Sequence, residues 1–462
     1  MKQPNSRIKI MKEAPIPQAL LKLGIPTMVG MLVSALYNVV DTYFVSGLGT
    51  SEVGAVSIVF PISQIIIGLA MTFGSGAASY ISRLLGKGEE KSANTTASTA
   101  LYTSLALGVI TVAVSLIFLN PILQGLGATD TILPHARSYA IIFIGGSIFN
   151  IFNVTMNNLV TAEGATKLTM SAMLIGGILN CILDPIFIYS LNFGVTGAAI
   201  ATVISQAVTS IMYLWFILKK KGVLRVSLKD FKPDKVMYGE IFKVGIPTLV
   251  FQILSSAAIG LTNTAASNHG DSAVAAMGVV TRILTLGSYV IFGYMKGFQP
   301  LAGYNYGAKQ FDRLKSAIRT SLIWSTCFCI IAGLLLICLA PNLISVFSQN
   351  DSAMIEIGSS ALRANGATFA LFGLQMVYSS TFLALGRGRE GSVLSISRQG
   401  IFFIPAIWLL PTLFGLDGVI YAQPIADVLT TLLTLIFAIR ITKELKGLND
   451  ISTSEGLGVV EK

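Results

Sequence analysis

The sequence predicts an all-α polytopic membrane protein, with twelve transmembrane helices arranged as two pseudo-symmetric six-helix lobes. Three observations predict it. Only 12% of the 462 residues are charged and 53% are hydrophobic, whereas soluble domains carry roughly 25% charged residues. Apolar runs of about 20 residues, the length that crosses a bilayer, recur along nearly the whole chain. The second half also repeats the first at a constant interval.

The apolar runs fall at 17–45, 55–82, 96–119, 137–160, 168–190, 196–218, 241–266, 275–299, 317–340, 361–385, 394–415 and 417–441. A soluble core has no use for twelve of them. The N-terminus carries Lys2, Arg7, Lys9 and Lys12, but the apolar stretch behind it is too long for a signal core. It also lacks a small-residue cleavage site, so no cleavable signal is expected.

The net charge of +10 is distributed as in a membrane protein. With the N-terminus placed in the cytoplasm, all 32 Lys and Arg except Arg137, Arg282 and Arg363 fall in cytoplasmic tails, loops or adjoining helix ends. The loop between helices 6 and 7 holds Lys219, Lys220, Lys221, Arg225, Lys229, Lys232, Lys235 and Lys243. Outside loops such as 48–52 and 342–356 carry acids or no charge. This is the positive-inside pattern, with both termini cytoplasmic in a multi-pass membrane protein. A nucleic-acid face would gather its charge with aromatics on one domain, so nucleic acid is not an expected partner.

Cys181, Cys327, Cys329 and Cys338 all lie within spans and read as small apolar fillers. His135 and His269 form no cluster with them, so no His/Cys metal centre is expected.

The repeat is specific. LKLGIPTM at 21–28 recurs as FKVGIPTL at 242–249, an interval of 242 − 21 = 221. The same interval relates Gly49 to Gly270, Gly76 to Gly297, Gly86 to Gly307, Asp130 to Asp351, Gly194 to Gly415 and Gly197 to Gly418. The expected organisation is an N-lobe at 1–218, a basic linker at 219–240, a C-lobe at 241–445 and a polar tail at 446–462. Each half has an even number of helices, so the repeats are parallel and related by an axis along the membrane normal. Two such lobes around a cavity are the body plan of an alternating-access transporter. Pro26 and Pro247 sit at matching places in the first helix of each half, where each removes a backbone hydrogen bond and permits a kink.

The acids inside spans are few: Asp41, Asp184 and Asp427. Asp41 and Asp184 fall in the outer halves of helices 1 and 5. Asn180 and Asp184, four residues apart, share a helix face, and Thr202 and Asn157 offer further oxygens in the same half. Two carboxylates with amide and hydroxyl oxygens suit Na⁺. Like charges held close in a poorly solvated cavity equally suit a shared proton. The residues leave both open. The repeat relates Asp41 to Thr262 and Asp184 to Pro405, so the pair belongs to the first half alone. Asp427, related to Gln206, is the candidate for a polar site in the C-lobe. Arg282 and Lys296, in helix 8, are read as snorkelling side chains without chemistry.

These residues resemble a family. The GIP motif early in each half, YNVVDTYFVSGLGTSEVGA, NCILDPIFIYSLNFGVTGAAIAT and GFQPLAGYNYGAK are together similar to the multidrug and toxic compound extrusion (MATE) transporters, over about residues 15–445. RGREGSVLSISRQGIFFIPAIW resembles the bacterial multidrug branch. The resemblance implies a V-shaped antiporter that is not an enzyme, works as a monomer without a cofactor, and expels organic cation drugs in exchange for H⁺ or Na⁺. It implies a coupling site at Asp41, Asn180, Asp184, Thr202, Tyr139 and Asn157, with Na⁺ at Asp41, Asn180, Asp184 and Thr202, and a hinge at Pro26. Some members also carry acids in helices 7 and 10. Here the nearest polar groups are Gln252 and Gln375, so coupling through the N-lobe is the expectation.

A lipophilic cation favours aromatic faces, thioethers and a few acceptors. Met31, Tyr37, Phe60 and Gln64, with Gln252, Asn263 and Gln375 opposite, are the candidates for its pathway. Two rival functions are a flippase for a lipid-linked precursor and a transporter of a dedicated metabolite. A flippase would line its cavity with Arg or Lys for phosphates, which are sparse here. An intramembrane enzyme or an ATPase finds no catalytic cluster and no GxxxxGK[ST] loop.

Overall fold

The computed structural model describes residues 6–457 apart from Lys220, Gln349 and Asn350. Among them, twelve helices are long and apolar enough to cross a membrane. They are α1 (Ile16–Ser46), α2 (Ser51–Lys87), α3 (Glu90–Ile117), α4 (Leu133–Ala162), α5 (Thr166–Ser190), α6 (Gly194–Leu218), α7 (Lys235–Ser267), α8 (Asp271–Gly307), α9 (Phe311–Ser345), α10 (Ser352–Ala384), α11 (Gly388–Phe414) and α12 (Leu416–Leu448). A short helix at Ser6–Glu13 lies before α1 and another at Leu119–Gly125 lies between α3 and α4, and no strand occurs among the described residues.

Helical structure overruns the apolar runs. α3 starts at Glu90 rather than 96, and α10 at Ser352 rather than 361. Polar first turns stay helical in water and head groups because each added residue gains a backbone hydrogen bond. α7 starts at Lys235, inside the stretch expected as linker, because the Asp234 carboxylate accepts N–H bonds from Val236 and Met237 at 3.0 and 3.1 Å. The last helix continues to Leu457, through most of the expected tail, and 458–462 lie outside the described residues.

The apolar core has three parts, and their membership gives the shape. One cluster, including Val59, Ile66, Ile144 and Ala199, draws on the first half alone. A second, including Ala266, Val280, Leu362 and Ala426, draws on the second half alone. The third joins both halves, with Leu20, Phe73, Phe152, Ile241, Phe298 and Leu301 among its members. The shared cluster lies toward the end of the bundle that carries the basic loops, here called the basic end. Toward the opposite, far end, each half is packed on itself. The molecule is a V, closed at the basic end and cleft at the far end.

Glycines allow the closure. A Cβ on Gly297 of α8 would stand 2.6 Å from Gly24 Cα of α1, and one on Gly76 of α2 would stand 2.2 Å from the Ile241 carbonyl oxygen of α7. Polar ties run beside them, with Arg83 donating to Glu240 at 2.8 Å and Arg313 donating to the Ala14 carbonyl at 2.8 Å. Gly297→Ala is therefore expected to wedge α1 from α8 and lower stability by about 1–3 kcal/mol, read as a drop in thermal unfolding temperature in detergent. An unchanged melt would refute this crossing.

α1 remains one helix through Pro26. The proline removes the donor that would serve the Lys22 carbonyl, and the Thr166 hydroxyl, at the start of α5, donates to that carbonyl at 3.3 Å. At the repeat-related proline, Pro247, the Lys243 carbonyl faces Gly388, where a Cβ would come within 2.1 Å. Beyond α4, Glu163 fastens the basic loop: it accepts from Val223 N at 2.7 Å, Leu224 N at 2.8 Å and Arg7 at 3.0 Å. Burial pushes its carboxyl up from the usual range, with the Leu224 N–H and the Arg7 charge opposing that shift.

Candidate functional site: a carboxylate pair in the first half

Four helices bring the site together in the far half of the first lobe. Asp41 sits five residues before the end of α1, Asp184 and Asn180 on the last turns of α5, Tyr139 near the start of α4, and Thr202 on α6. Pro185 follows Asp184 directly, and a wide-turn segment, Ile186–Ser190, closes α5. That segment aims the Tyr189 hydroxyl at α1, where it donates to the Phe44 carbonyl at 2.6 Å and fixes the far end of α1 against α5.

Asn180 and Asp184 are 2% and 0% exposed. The Asn180 amide donates to Asp184 Oδ1 at 3.1 Å and to Thr202 Oγ1 at 3.4 Å. Asp41 and Asp184 lie within electrostatic reach of one another, and both act on Tyr139 and Tyr37. Tyr37, expected on the drug pathway, thus neighbours the pair.

The deciding feature is a shortage of donors. Asp41 Oδ1, Asn180 Oδ1 and Asp184 Oδ2 are buried acceptors without a hydrogen-bond partner. No Lys, Arg or His among the described residues forms an ion pair with either aspartate. Buried acceptors left this way cost about 1–3 kcal/mol each, and more when charged. A proton or a hard cation taken up by such oxygens removes that cost. The donor set is oxygen only, which fits Na⁺ as well as H⁺, and the described residues hold no cluster of three or more His, Cys, Asp or Glu.

Asn157 lies elsewhere. It stands on α4 eighteen residues (157 − 139) beyond Tyr139, and at 1.5 Å per residue the two Cα atoms are about 27 Å apart. The Asn157 amide donates to the Tyr213 hydroxyl at 3.1 Å, and its carbonyl oxygen accepts from Lys296 Nζ at 2.6 Å. Lys296 therefore does not snorkel. It reaches from α8 of the second half into the first, at the closed base of the V, and forms no ion pair among the described residues. Arg282, by contrast, is exposed.

The second half answers its buried acid differently. Asp427 is 3% exposed and accepts from Arg398 Nε at 2.8 Å and Gln423 Nε2 at 2.8 Å, with Arg398 Nη2 at 3.5 Å from its other oxygen. The guanidinium stacks 4.6 Å from the Phe372 ring centre. Gln375 is drawn into this cluster: its amide donates to the Asp427 carbonyl at 2.7 Å and to Thr431 at 2.8 Å. It does not face the cleft opposite α1. Arg398, expected among the cytoplasmic helix ends, sits mid-span instead, in a wide-turn segment at Ser397–Ile401. Its position inside the apolar run 394–415 is the signal that could have found it.

The remaining pathway candidates differ in exposure. Phe60 is 53% exposed and Asn263 is exposed, while Met31, Gln64 and Gln252 are half-buried.

The MatE family model matches the chain twice, at residues 26–186 and 247–409. The chain belongs to the MatE family. The two matches begin 247 − 26 = 221 residues apart, the interval of the sequence repeat. This MatE-family chain is 30% identical over 426 residues to the multidrug export protein MepA of Staphylococcus aureus strain N315, covering 92% of the chain and 94% of that protein. MepA of Staphylococcus saprophyticus is 29% identical over 420 residues, covering 91% and 92%. Among solved structures, a multidrug resistance MATE family transporter in its outward-facing conformation superposes with a TM-score of 0.91 at 28% identity, covering 96% of this chain and all (100%) of that one. A MATE in its bent conformation gives 0.90 at 28% identity, covering 98% and 100%.

Proposed function

We propose that the chain is a secondary active exporter of a prokaryotic cytoplasmic membrane, with its basic end and both termini in the cytoplasm. It expels lipophilic organic cations in exchange for H⁺ or Na⁺, works as a monomer, and performs no covalent catalysis. The observation that carries this reading is the donor-poor pair of Asp41 and Asp184, where one oxygen of each and the Asn180 side-chain oxygen are buried without a donor. The names of the relatives, multidrug export proteins, support the direction and the kind of cargo.

The V with its far end cleft is the state that faces out. There H⁺ or Na⁺ enters between α1, α4, α5 and α6 and neutralises the pair. The bound drug cation loses its counter-charge in the first half and leaves through the cleft, while α1 adjusts at Pro26. With the pair neutral, the lobes rock about the shared core, and the ties at the closed base, Lys296 to Asn157 among them, open toward the cytoplasm. The cation leaves inward and a drug takes its place. Each ligand shifts the equilibrium only by its differential affinity for the two states.

Ethidium efflux from proteoliposomes under an imposed ΔpH or Na⁺ gradient, applied separately, tests the reading. One gradient is expected to drive efflux. A response to neither would remove the antiport proposal.

Asp427 is assigned no coupling role, since Arg398 already neutralises it. Asp427→Asn is expected to keep gradient-driven efflux while costing about 3–5 kcal/mol of stability by stranding the guanidinium. Thermal unfolding and efflux on the same preparation check both. Loss of efflux in a folded variant would return Asp427 to the coupling machinery.

A further inference from the structure

A second built site lies on the outside of the second half. Between the far ends of α9, α10 and α12 is a cavity of about 550 Å³ lined by Glu356, Arg363, Ser352, Ser359, Ser360 and Tyr421. Arg363 is exposed and stands 363 − 352 = 11 residues inside α10, about 16 Å from its start. No ion pair or hydrogen bond of Arg363 or Glu356 occurs among the described residues. The apolar run of α10 begins at 361, so Arg363 lies only 363 − 361 = 2 residues inside it, at the level where a long cationic side chain reaches the lipid head groups. Ser359 is 94% buried, and its Oγ also lacks a partner.

We propose that this cavity holds the head group of a phospholipid carrying a primary ammonium on its phosphate. Glu356 and Arg363, two turns apart on one face of α10, are separated by about 10 Å along the membrane normal. Glu356 is nearer the far surface. A lipid of that leaflet places its ammonium outermost and its phosphate deeper, so the ammonium meets Glu356 and the phosphate meets Arg363, which two N–H groups of the guanidinium can clasp. Ser359 and Tyr421 supply hydroxyls at the level where interfacial tyrosines collect. Below Tyr421, the same face of α12 presents Ile425, Val428 and Leu432, and α9 presents Leu334, all exposed apolar side chains against which acyl chains lie. The site shares no residue with the carboxylate pair and stands whether or not the transport reading does.

Native mass spectrometry of the full-length protein, titrated with phosphatidylethanolamine, phosphatidylglycerol or water-soluble phosphoethanolamine, tests it. The wild type is expected to retain the ethanolamine lipid best. Arg363→Gln is expected to bind both lipids about tenfold more weakly, whereas Glu356→Gln loses only the preference for the ethanolamine head. Arg363→Lys is expected to restore part of the binding, which a merely misfolded site would not. Equal retention by wild type and Arg363→Gln overturns the site. Equal binding of phosphatidylglycerol overturns the zwitterionic choice, and equal binding of phosphoethanolamine overturns the lipid.

Discussion

Asp184→Asn is expected to reduce gradient-driven drug efflux to the level of protein-free liposomes while leaving the protein folded. The side chain is 0% exposed, and its Oδ1 accepts from Asn180 at 3.1 Å while Oδ2 has no donor. An amide of the same shape fills the same space and brings its own donors, but it can neither take up nor release a charge. The buried site is relieved of an unpaired carboxylate, so the thermal stability of the variant should hold or rise. Asp41→Asn is expected to give the same loss. The double variant should be no worse than either, because groups that act as a unit are not additive. Efflux at the wild-type rate in either single variant would remove that residue from the coupling site.

Lys296→Met is expected to weaken closure of the base of the V. The ammonium donates to Asn157 Oδ1 at 2.6 Å, across the seam between the halves, and Asn157 in turn donates to Tyr213. A hydrogen bond to a charged group contributes about 1.5–3 kcal/mol, which corresponds to roughly a 10- to 150-fold shift between the two states if the bond exists in only one. Spin labels at the far ends of α2 and α8, in a background with the four native cysteines replaced, read that shift as a shortened distance distribution. Asn157→Ala should produce the same shift, and combining the two should add little. An unaltered distribution in Lys296→Met would show that the bond does not distinguish the states.

The contrast between these residues explains what the sequence made legible. The twelve spans follow from hydropathy, and the 221-residue interval follows from residue identity, so neither needs tertiary information. Asn180 and Asp184 are four apart on one helix, and a helical period alone puts them together. Asp41 joins them because two outward-running helices carry acids at similar depth. Depth also explains the failure with Asn157. Belonging to the same half says nothing about position along the membrane normal, and the rise of α4 separates it from Tyr139 by most of a bilayer. Lys296 and Arg398 were hidden for a related reason. Each takes its meaning from a partner on another helix, 139 residues away for Lys296 and 29 for Arg398, and no local pattern announces such pairs. Their one local signal was a charge inside an apolar run. Gln375 departs from the expected pathway because a helix has two sides, and its amide turns inward to the Asp427 backbone.

The central claim is that drug and coupling cation compete through one pair of carboxylates in the first half. It is tested most directly by adding ethidium to purified protein in weakly buffered detergent solution while following proton release and displacement of radiolabelled Na⁺. The wild type is expected to expel one of the two cations as the drug binds, and the Asp41→Asn/Asp184→Asn double variant neither. Drug binding to the wild type that displaces no cation, or displacement that persists in the double variant, would contradict it.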